Sequence, residues 1–354
     1  LPSAMAHPTL GKMVRQNRMS IRFGLALDFW SPSKPLDKLL DDYVRLLSIA
    51  ERYGFHSVWA GENRPVAPES GHVPSPLLIL AALATRTTLR LGTAVTLLPV
   101  WQPLRLAYDG AILDQLSQGR FTLGVGAGIA RTLQRYGVPP AETASRMDES
   151  LALLKRAWSG ADGFQGKHFS YEGKVYPGPV QPGGPPILVG SSVARGVQRA
   201  VDLADGWIGA TQFHHRLIKL QAERYWDRMA AQGKGRETGT VAINRTCFVA
   251  ESDQAARKQG KPYVSQVLGF YGRMGAITDN QGNALDPNDD LFELVGPEIY
   301  LVGSPATCVT SIRMYEAIGV NQINLRVTMG DMPLEVAERT VTLLGEEVLP
   351  HFRA

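Results

Sequence analysis

Three glycines stand at alternate positions where a short apolar segment of the sequence ends. They are Gly124, Gly126 and Gly128 in the stretch FTLGVGAG. Glycine leaves its backbone N–H accessible and permits positive φ, so such a turn can bind phosphate oxygens through main-chain amides. In the dinucleotide-binding pattern a third glycine opens a helix. The two possible registers have Ile129 or Arg131 there, which argues against a nicotinamide site. A tight turn without a ligand is the structural alternative.

A second candidate for anion binding follows the next apolar strand segment. Gly190, Ser191 and Ser192 in VGSSVARG stand immediately before a helical segment. The N–H groups and the dipole at a helix start attract anions, and the two hydroxyls can add hydrogen bonds. A serine N-cap that only satisfies the helix is the alternative. If both turns lie at the same edge of a sheet, they predict one phosphate site between them.

The elements that position these turns alternate between strand and helix from residue 21 to the end of the chain. Apolar segments such as IRFGLAL and LRLGTAVTLL lack the alternation of a half-exposed strand, which is typical of parallel sheets buried on both faces. We interpret the pattern as eight βα units and predict an α/β fold, a (β/α)8 TIM barrel with insertions. An open doubly wound sheet is the alternative. In a barrel both turns would lie at the same mouth, because the carboxyl ends of all strands meet there.

The composition is that of an ordinary globular protein. The chain has 354 residues, is 44% hydrophobic and carries a formal net charge of +4. The arginines are scattered, which argues against a nucleic-acid partner, and no apolar run is long enough to span a membrane. Cys247 and Cys308 lack metal-ligand spacing, so we expect reduced thiols in a cytoplasmic protein without a metal. We expect residues 1–20 to be a flexible extension or cloning remnant and residues 21–354 to form a single domain.

Six segments of the chain form a set when they are read together. They are AERYGFHSVWAGEN, LRLGTAVTLLP, LDQLSQGRFTLGVGAG, RMDESLALLKRAW, PPILVGSSVARGVQRAVDLADGW and GSPATCVTSIRMYEAIGV. In order and spacing, over nearly the whole chain from residue 21, they resemble the bacterial luciferase-like family of flavin-dependent oxidoreductases. The resemblance implies a luciferase-like barrel, a reduced flavin or deazaflavin cofactor, no metal and, in many members, a dimer.

The resemblance also implies which residues hold the cofactor. In the family the third strand carries a bulge with a cis non-proline peptide behind the isoalloxazine ring, and Ala94–Val95 matches that place. The phosphate is held by the loop after strand 4, an arginine at the next helix start and the small residues after strand 5. The matching residues are Gly126, Gly128, Ile129, Arg146, Gly190, Ser191 and Ser192. For Arg146, an ion pair with Asp148 or Glu149 is the alternative.

Glu62, Asn63 and His214 are the candidates for catalytic roles. Luciferases have Glu-His-His after the second strand, whereas this chain has Glu62-Asn63-Arg64. Asparagine can orient an oxygen atom but cannot shuttle a proton near neutral pH. His214 or His215 could act as a base, and a backbone hydrogen bond at a helix start is the alternative. Ala127 replaces the arginine of luciferases, and GVGAG is closer to the deazaflavin-using relatives.

Further polar and aromatic residues fall at the predicted open face of the barrel. They are Asp28, Phe29, Trp30, Trp101, Gln102, His215, Arg326 and Thr328. We expect Trp30 and Trp101 either to wall the substrate cavity or to pack within the barrel. Residues 262–276 are apolar at helical spacing, which indicates a core helix or an oligomer face, with a lid over the site as the alternative.

These features lead to three functional hypotheses. The first is a monooxygenase that uses O2 and reduced FMN on a small, mostly apolar or carbonyl substrate. A separate flavin reductase would supply the reduced FMN, because the chain has no nicotinamide fingerprint. The second hypothesis uses the deazaflavin coenzyme F-420 to transfer hydride to or from an alcohol, imine or activated alkene. The third is a flavin-binding relative without turnover. We expect a homodimer with no membrane partner.

Overall fold

Parallel strands close into a barrel in the computed structural model, which describes residues 20–29, 31, 33–62 and 75–353. The strands are β1 (Arg22–Leu27), β2 (Ser57–Ala60), β3 (Arg90–Thr93), β4 (Thr96–Leu97), β5 (Phe121–Gly126), β6 (Phe164–Gln165), β7 (Ser170–Tyr171), β8 (Ile187–Gly190), β9 (Gly206–Gly209), β10 (Thr240–Val249), β11 (Tyr300–Gly303) and β12 (Gln322–Arg326). The helices are α1 (Leu36–Arg52), α2 (Pro76–Ala84), α3 (Pro103–Leu116), α4 (Ala130–Arg135), α5 (Thr143–Trp158), α6 (Ala194–Asp202), α7 (His215–Ala231), α8 (Asp253–Arg273), α9 (Leu291–Val295), α10 (Pro305–Ala317) and α11 (Leu334–Leu343).

Eight strand positions form the closed ring that the sequence predicts. Their order around the barrel is β1, β2, β3, β5, β8, β9, β10 and β12, and β12 pairs with β1 to close the ring. β4 continues β3 after a short interruption and pairs with β5. The closure confirms the (β/α)8 barrel and excludes the open doubly wound sheet. Because the pairings in the ring are parallel, the carboxyl ends of the strands form a single mouth.

One apolar segment adds a ninth strand beside the eight positions of the ring. The segment EIYLVGS forms β11, which pairs with the end of β10, where Thr246 stands opposite Tyr300. β10 has 10 residues, so its first half pairs with β9, its middle with β12 and its end with β11. An apolar pattern indicates a buried strand but does not identify its neighbours, so the position of β11 cannot be predicted from the pattern.

The chain between β10 and β12 forms an insertion with a hydrophobic cluster of its own. α8, α9 and β11 bury Val264, Leu268 and Phe292 together with Phe248 at the end of β10. The core-helix interpretation of residues 262–276 is therefore confirmed for α8. The last turns of the same helix also reach the barrel mouth, because Tyr271 lines a cavity there. The insertion thus contributes one wall of the mouth.

The surrounding helices bury one apolar face each against the ring. α1 buries Leu39, Leu46 and Leu47, at the spacing expected for one face of a helix. Every helix in the described part of the chain is too short or too polar to span a membrane. Among the same residues no group of three or more His, Cys, Asp and Glu side chains could hold a metal ion. The predicted N-terminal extension lies, up to residue 19, outside the described residues.

Candidate functional site

The third barrel strand is interrupted at the mouth. β3 ends at Thr93, β4 begins at Thr96, and the peptide bond between Ala94 and Val95 is cis. The resemblance places the isoalloxazine ring against this interruption. Ala94 and Val95 are called the ring seat below. Ala94 lines the cavity at the mouth with a single methyl group, so the wall at this point is shallow and accessible to a flat ring.

Two of the alternating glycines are required by packing against this interrupted strand. A Cβ atom on Gly124 would lie 1.9 Å from the carbonyl oxygen of Thr93, and one on Gly126 would lie 2.8 Å from Cγ2 of Val95. A side chain at position 124 would displace the backbone of the neighbouring strand, and one at position 126 would displace the side chain of Val95. Gly128 has φ +73°, in the left-handed region that favours glycine. The tight-turn alternative therefore explains the residue types, and any binding of phosphate falls to the main-chain amides of the turn.

The two glycine-containing turns lie side by side, as a shared phosphate site requires. Gly126 and Gly190 are register partners on the neighbouring strands β5 and β8. The loops that follow them therefore start at the same edge of the mouth. Ile129 is the N-cap residue of α4 and its side chain is 48% exposed, so it does not fill the space between the two loops as a core residue would.

The loop after β8 places its two hydroxyls in different surroundings. Ser191 Oγ accepts a hydrogen bond from the backbone N–H of Val193 at 3.2 Å. A Cβ atom on Gly196 would lie 1.9 Å from the same oxygen, so glycine is needed there to make room for Ser191. Ser192 is exposed. Val193 is the N-cap of α6 and provides no side-chain cap, so the serine N-cap alternative is wrong for this helix.

Arg146 on α5 has a different acidic partner from the two that the sequence suggested. Its Nε donates to Oε2 of Glu142 at 2.8 Å, one helical turn earlier. Its guanidinium lies over the ring of Phe169, 5.5 Å from the centroid. Asp148 pairs instead with Arg199 on α6, at 2.5 Å. The alternative, a pairing of Arg146 with Asp148 or Glu149, is therefore wrong, and Arg146 is anchored by Glu142, the N-cap residue of α5.

This edge of the mouth carries an excess of positive charge. Three guanidinium groups, those of Arg146, Arg195 and Arg199, are distributed over two carboxylates, those of Glu142 and Asp148. The hydrogen bond from Arg146 holds the pKa of Glu142 below its usual range, so the carboxyl is ionised at neutral pH. Arg195 and Arg199 share the single carboxylate of Asp148, so guanidinium groups outnumber carboxylates beside the start of α6. A phosphate group would find a favourable field here, and Arg can bind two phosphate oxygens at once.

Glu62 links the end of β2 to the interrupted third strand. Its carboxylate Oε2 accepts hydrogen bonds from the Leu97 N–H at 2.9 Å and from Nε1 of Trp101 at 3.0 Å. Its own N–H donates to the Val95 carbonyl oxygen at 3.3 Å. The residue is only 6% exposed. These contacts indicate that Glu62, which the sequence suggested as catalytic, positions the ring seat and the indole of Trp101.

A buried ion pair lies at the mouth between the ends of β1 and β12. Arg326 donates from both Nε, at 3.0 Å, and Nη2, at 2.5 Å, to Oδ2 of Asp28. The backbone of Asp28 is held from both sides, since its N–H donates to Oγ1 of Thr328 at 3.0 Å and its carbonyl accepts from the Tyr43 hydroxyl at 2.5 Å. The phenol of Tyr271 faces Arg326 and Thr211. All these side chains meet within one cavity wall or directly behind it.

Burial changes the titration of this cluster. Removal from water raises the pKa of Asp28 to about 6, although the charge of Arg326 opposes the shift. Burial lowers the pKa of Arg326, but Asp28 and Tyr271 outweigh it, and the net shift is upward. Burial also raises the pKa of Tyr271. At neutral pH the site therefore holds a carboxylate, a guanidinium and a neutral phenol.

His214 caps the start of a helix, which is the structural alternative to its role as a base. Its Nδ1 accepts a hydrogen bond from the Arg216 N–H at 3.2 Å, at the start of α7, and its Nε2 pairs with the carboxylate of Glu298. With Nδ1 accepting, Nε2 carries the proton that the carboxylate accepts. Both ring nitrogens are thus occupied within the protein. This geometry favours a structural role over that of a general base.

The loop after β9 is fixed by a fully buried arginine. Arg245 on β10 donates from Nη1 to the carbonyl oxygens of Ala210 and Thr211, and from Nη2 to that of Phe213. Its Nε donates to the Tyr315 hydroxyl at 2.8 Å. Since Ala210 and Thr211 line the mouth cavity, this arginine positions one wall of it.

The remaining predicted residues divide between packing and regions outside the described residues. Gln102 caps α3, where its Oε1 accepts from the Arg105 N–H at 2.7 Å. Phe29 is buried and packs edge-on against Tyr43. Asn63 and Trp30 lie outside the described residues, and their proposed roles stay predictions.

The described residues fit a phosphorylated, flat redox cofactor on two counts. The first is the wall at Ala94, which carries only a methyl group and so presents no side chain that would occupy the place of a flat ring. A buried hydroxyl in the same strand, Oγ1 of Thr96, has no hydrogen-bond partner among the described residues. Beside it, the adjacent loops after β5 and β8 form an edge with excess positive charge. A parallel (β/α)8 barrel with such a mouth is the architecture of an enzyme that works on small molecules at its C-terminal face.

Comparison with known proteins identifies the family. Residues 21–322 match the family model of luciferase-like monooxygenases, and the chain therefore belongs to this family of oxidoreductases. It is 25% identical over 337 residues to the oxygenase component of the flavin-dependent trigonelline monooxygenase of Acinetobacter baylyi, covering 89% of this chain and 90% of that protein. It is also 25% identical to the F420-dependent glucose-6-phosphate dehydrogenase of Amycolatopsis mediterranei, and the match covers 88% of this chain and 95% of that protein.

A solved structure supports the same assignment. The crystal structure of the monooxygenase RslO1 from Streptomyces bottropensis superposes with a TM-score of 0.81 at 27% identity, covering 94% of this chain and all of that one. The barrel and the family predicted from the sequence are thus both confirmed.

Sequence reasoning missed the role of Tyr271 in the site. Its helix has the apolar pattern of a core helix. No pattern along that helix shows that its end reaches Arg326, which lies 55 residues later in the sequence. Asp28 and Arg326 were named only as residues near the open face. Their pairing depends on the closure of β12 onto β1, which the sequence predicts only through the whole fold.

Proposed function

We propose that the chain is the oxygenase of a two-component system, which uses reduced FMN and O2 to oxidise a small organic substrate. The observation that carries the proposal is the juxtaposition, at one mouth, of the shallow Ala94 wall and the positively charged edge between β5 and β8. FMN has a flat ring and a phosphate tail that match these two features. The flavin dependence of the Acinetobacter baylyi relative supports the proposal.

In this proposal the protein binds and orients, and the cofactor supplies the redox chemistry. When bound, a reduced flavin provides the electrons with which O2 is activated and the substrate is oxidised. Ala94 and Val95 would support the ring from one side, and Glu62 holds this support in place through its bonds to Leu97 and Trp101. The main-chain amides of residues 126–129 and of the start of α6 would hold the phosphate, together with Arg146. The apolar wall formed by Trp59 and Ala26 would limit the access of water.

The partners follow from the same proposal. The name of the Acinetobacter baylyi relative describes it as an oxygenase component, which supports a separate flavin reductase for this chain as well. The reductase would deliver reduced FMN by transient contact or diffusion. The proposal also includes a homodimer and a cytoplasmic location, as expected from the sequence.

A second function keeps the site and changes the cofactor. Ala127 occupies the loop after β5, where the sequence resembles deazaflavin-using relatives, and the Amycolatopsis mediterranei relative is F420-dependent. A deazaflavin would transfer hydride to or from an alcohol, imine or activated alkene without using oxygen. The cradle predicted for the phosphate serves both cofactors, since both carry a flat ring and a phosphate.

An anaerobic titration followed by admission of air separates these functions. The purified chain would be titrated with reduced FMN, reduced riboflavin and reduced coenzyme F-420, and binding followed by absorbance and fluorescence. We expect FMN to bind about 10- to 100-fold more tightly than riboflavin, the range for one charge-assisted hydrogen bond to the phosphate. Oxygen uptake and oxidation of the bound FMN should follow when air enters.

Each other outcome points elsewhere. Tight binding of coenzyme F-420 alone, with no oxygen uptake, would support hydride transfer. Tight binding of FMN with neither oxygen nor substrate consumption would support a flavin-binding protein without turnover. Equal affinity for FMN and riboflavin would contradict the phosphate site.

A further inference from the structure

Apolar and polar residues contribute about equally to the lining of the mouth cavity. Ala26, Leu27, Trp59, Ala94 and Ala210 supply the apolar surface. Asp28, Thr211, Asn244, Tyr271 and Arg326 supply the polar surface of the same cavity. Arg326 and Asp28 are 7% and 2% exposed, so their charges are removed from bulk water. The ring seat at Ala94 and the guanidinium of Arg326 thus share one small space.

The placement of this ion pair favours a ligand-binding role over a purely structural one. A buried ion pair contributes little to stability in comparison with apolar residues of the same size. Arg326 is the last residue of β12, at the carboxyl end of a barrel strand, where residues of such barrels usually serve chemistry rather than stability. Tyr271 reaches the same point from α8, in an insertion that packs on its own hydrophobic cluster. Two independent elements therefore bring hydrogen-bond donors to one place.

The charge balance of the cluster selects the type of ligand. Both Nε and Nη2 of Arg326 donate to Asp28, so the carboxylate neutralises the guanidinium. A fully anionic ligand would gain little from a site whose net charge is zero, and it would meet the carboxylate nearby. A neutral carbonyl oxygen needs only hydrogen-bond donors, and the guanidinium and the phenol both donate. Ala26, Trp59 and Ala94 offer apolar contact to the rest of such a ligand.

We propose that Arg326 and Tyr271 bind the carbonyl oxygen of the substrate beside the ring seat, and that Asp28 is the positioning residue that holds Arg326. The substrate class is then a ketone, aldehyde or other neutral carbonyl compound with an apolar body. The inference rests on the proposed function for the reaction that follows binding. The site for the carbonyl oxygen is defined by the cavity and can be tested without turnover.

A dye that reports hydrogen bonds to its own carbonyl group tests this site directly. The absorption band of 4-(dimethylamino)cinnamaldehyde moves to longer wavelength when its carbonyl oxygen accepts hydrogen bonds. We expect the wild-type chain to bind the dye and shift its band to the red. Tyr271→Phe should reduce the shift and weaken binding about two- to tenfold, the range for one hydrogen bond. The styrene analogue without the carbonyl should bind wild type and Tyr271→Phe equally.

Tyr263→Phe is the matched control, because it removes a hydroxyl from the same helix at a residue that packs against the insertion cluster. It should leave the dye shift unchanged. No shift with the wild-type chain, an equal loss in Tyr263→Phe, or an unchanged shift in Tyr271→Phe would each overturn the inference.

Arg326 is tested in a background that leaves no unpaired charge. The single variant Arg326→Gln would remove the charge that neutralises the buried Asp28, so it risks misfolding. The double variant Asp28→Asn with Arg326→Gln keeps a neutral, similarly shaped pair, and its fold is checked by circular dichroism. We expect it to fold and to lose most of the red shift. A folded double variant with the full shift would contradict the role of Arg326.

Flavin titration of the same variants separates the two proposals. If wild type binds FMN and consumes O2 but the dye shift does not depend on Tyr271 and Arg326, only the inference of a carbonyl-binding site fails. If wild type binds no flavin while the dye shift depends on both residues, the proposed function fails and the carbonyl site stands.

Discussion

Glu62 offers a sharp test, because a catalytic and a positioning role predict different consequences for the same substitution. The carboxylate accepts from the Leu97 N–H at 2.9 Å and from the Trp101 indole at 3.0 Å, both through Oε2. Glu62→Gln keeps the shape of the side chain and removes its charge. The amide oxygen can still accept both bonds, but each becomes a bond between neutral groups.

The expected loss follows from these two bonds. Hydrogen bonds to a charged group contribute about 1.5–3 kcal/mol and neutral ones about 0.5–1.5 kcal/mol. Each bond should therefore lose roughly 1–1.5 kcal/mol, and the free energy of unfolding should fall by about 2–3 kcal/mol. The ring seat would also become less well held, so the affinity for FMN should fall. Turnover at saturating FMN should stay within about threefold of the wild-type value, because in this account Glu62 does not take part in the reaction.

The assay combines urea denaturation, FMN titration and steady-state turnover of the purified variant. Glu335→Gln serves as the control, because Glu335 lies exposed in the first turn of α11. It should change none of the three quantities. An unchanged free energy of unfolding together with a loss of turnover of more than about 100-fold would refute the positioning role and return Glu62 to the reaction.

Four further predictions concern single residues. Arg146→Ala should weaken FMN binding by about 1.5–3 kcal/mol and leave riboflavin binding unchanged, as measured by fluorescence titration; an equal effect on both would place Arg146 away from the phosphate. His214→Ala should lower the free energy of unfolding by about 0.5–2 kcal/mol through loss of the cap on α7, with turnover retained, and abolished turnover in a stable variant would show that His214 is catalytic. Burial raises the pKa of Asp28 from 3.8 to about 6, so the stability that this group contributes is present at low pH and is lost as the pH rises through about 6. Turnover should fall in the opposite direction, below a pH of about 6, because protonated Asp28 no longer neutralises and holds Arg326; a pH profile of kcat/KM without this limb, or one that Asp28→Asn retains, would count against it. Asn63→Ala should cause a large loss of turnover, and full activity would show that Asn63 only packs.

The barrel could be predicted from the sequence because its signals are local or repeated. Uninterrupted apolar strands alternating with amphipathic helices leave few architectures, and closure brings the loops after β5 and β8 together, as Gly126 and Gly190 show. The interruption at Ala94–Val95 could be predicted only through the family resemblance. The place of β11 could not, because an apolar segment does not reveal whether it joins the ring or the long end of β10.

The differences between the predicted and the observed surroundings of the site residues share a physical cause. Residue types near the end of a strand suggest chemistry, but the partner that decides the role comes from another element. The sequence suggests a catalytic role for Glu62, whereas the contacts of its carboxylate with Leu97 and Trp101, which favour a positioning role, appear only in the fold. The glycines at 124 and 126 suggest a ligand cradle, whereas the close approach of Thr93 and Val95 already requires them. Tyr271 was hidden because its helix also satisfies every requirement of a core helix.

The central claim is that one mouth of the barrel binds FMN, with its ring against Ala94 and its phosphate between the loops after β5 and β8. A crystal structure of the chain grown with FMN tests this most directly. The account predicts phosphate oxygens within hydrogen-bond distance of main-chain amides in residues 126–129 or at the start of α6, with Arg146 close by. FMN bound at the opposite end of the barrel, or with its phosphate in solvent away from both loops, would contradict it.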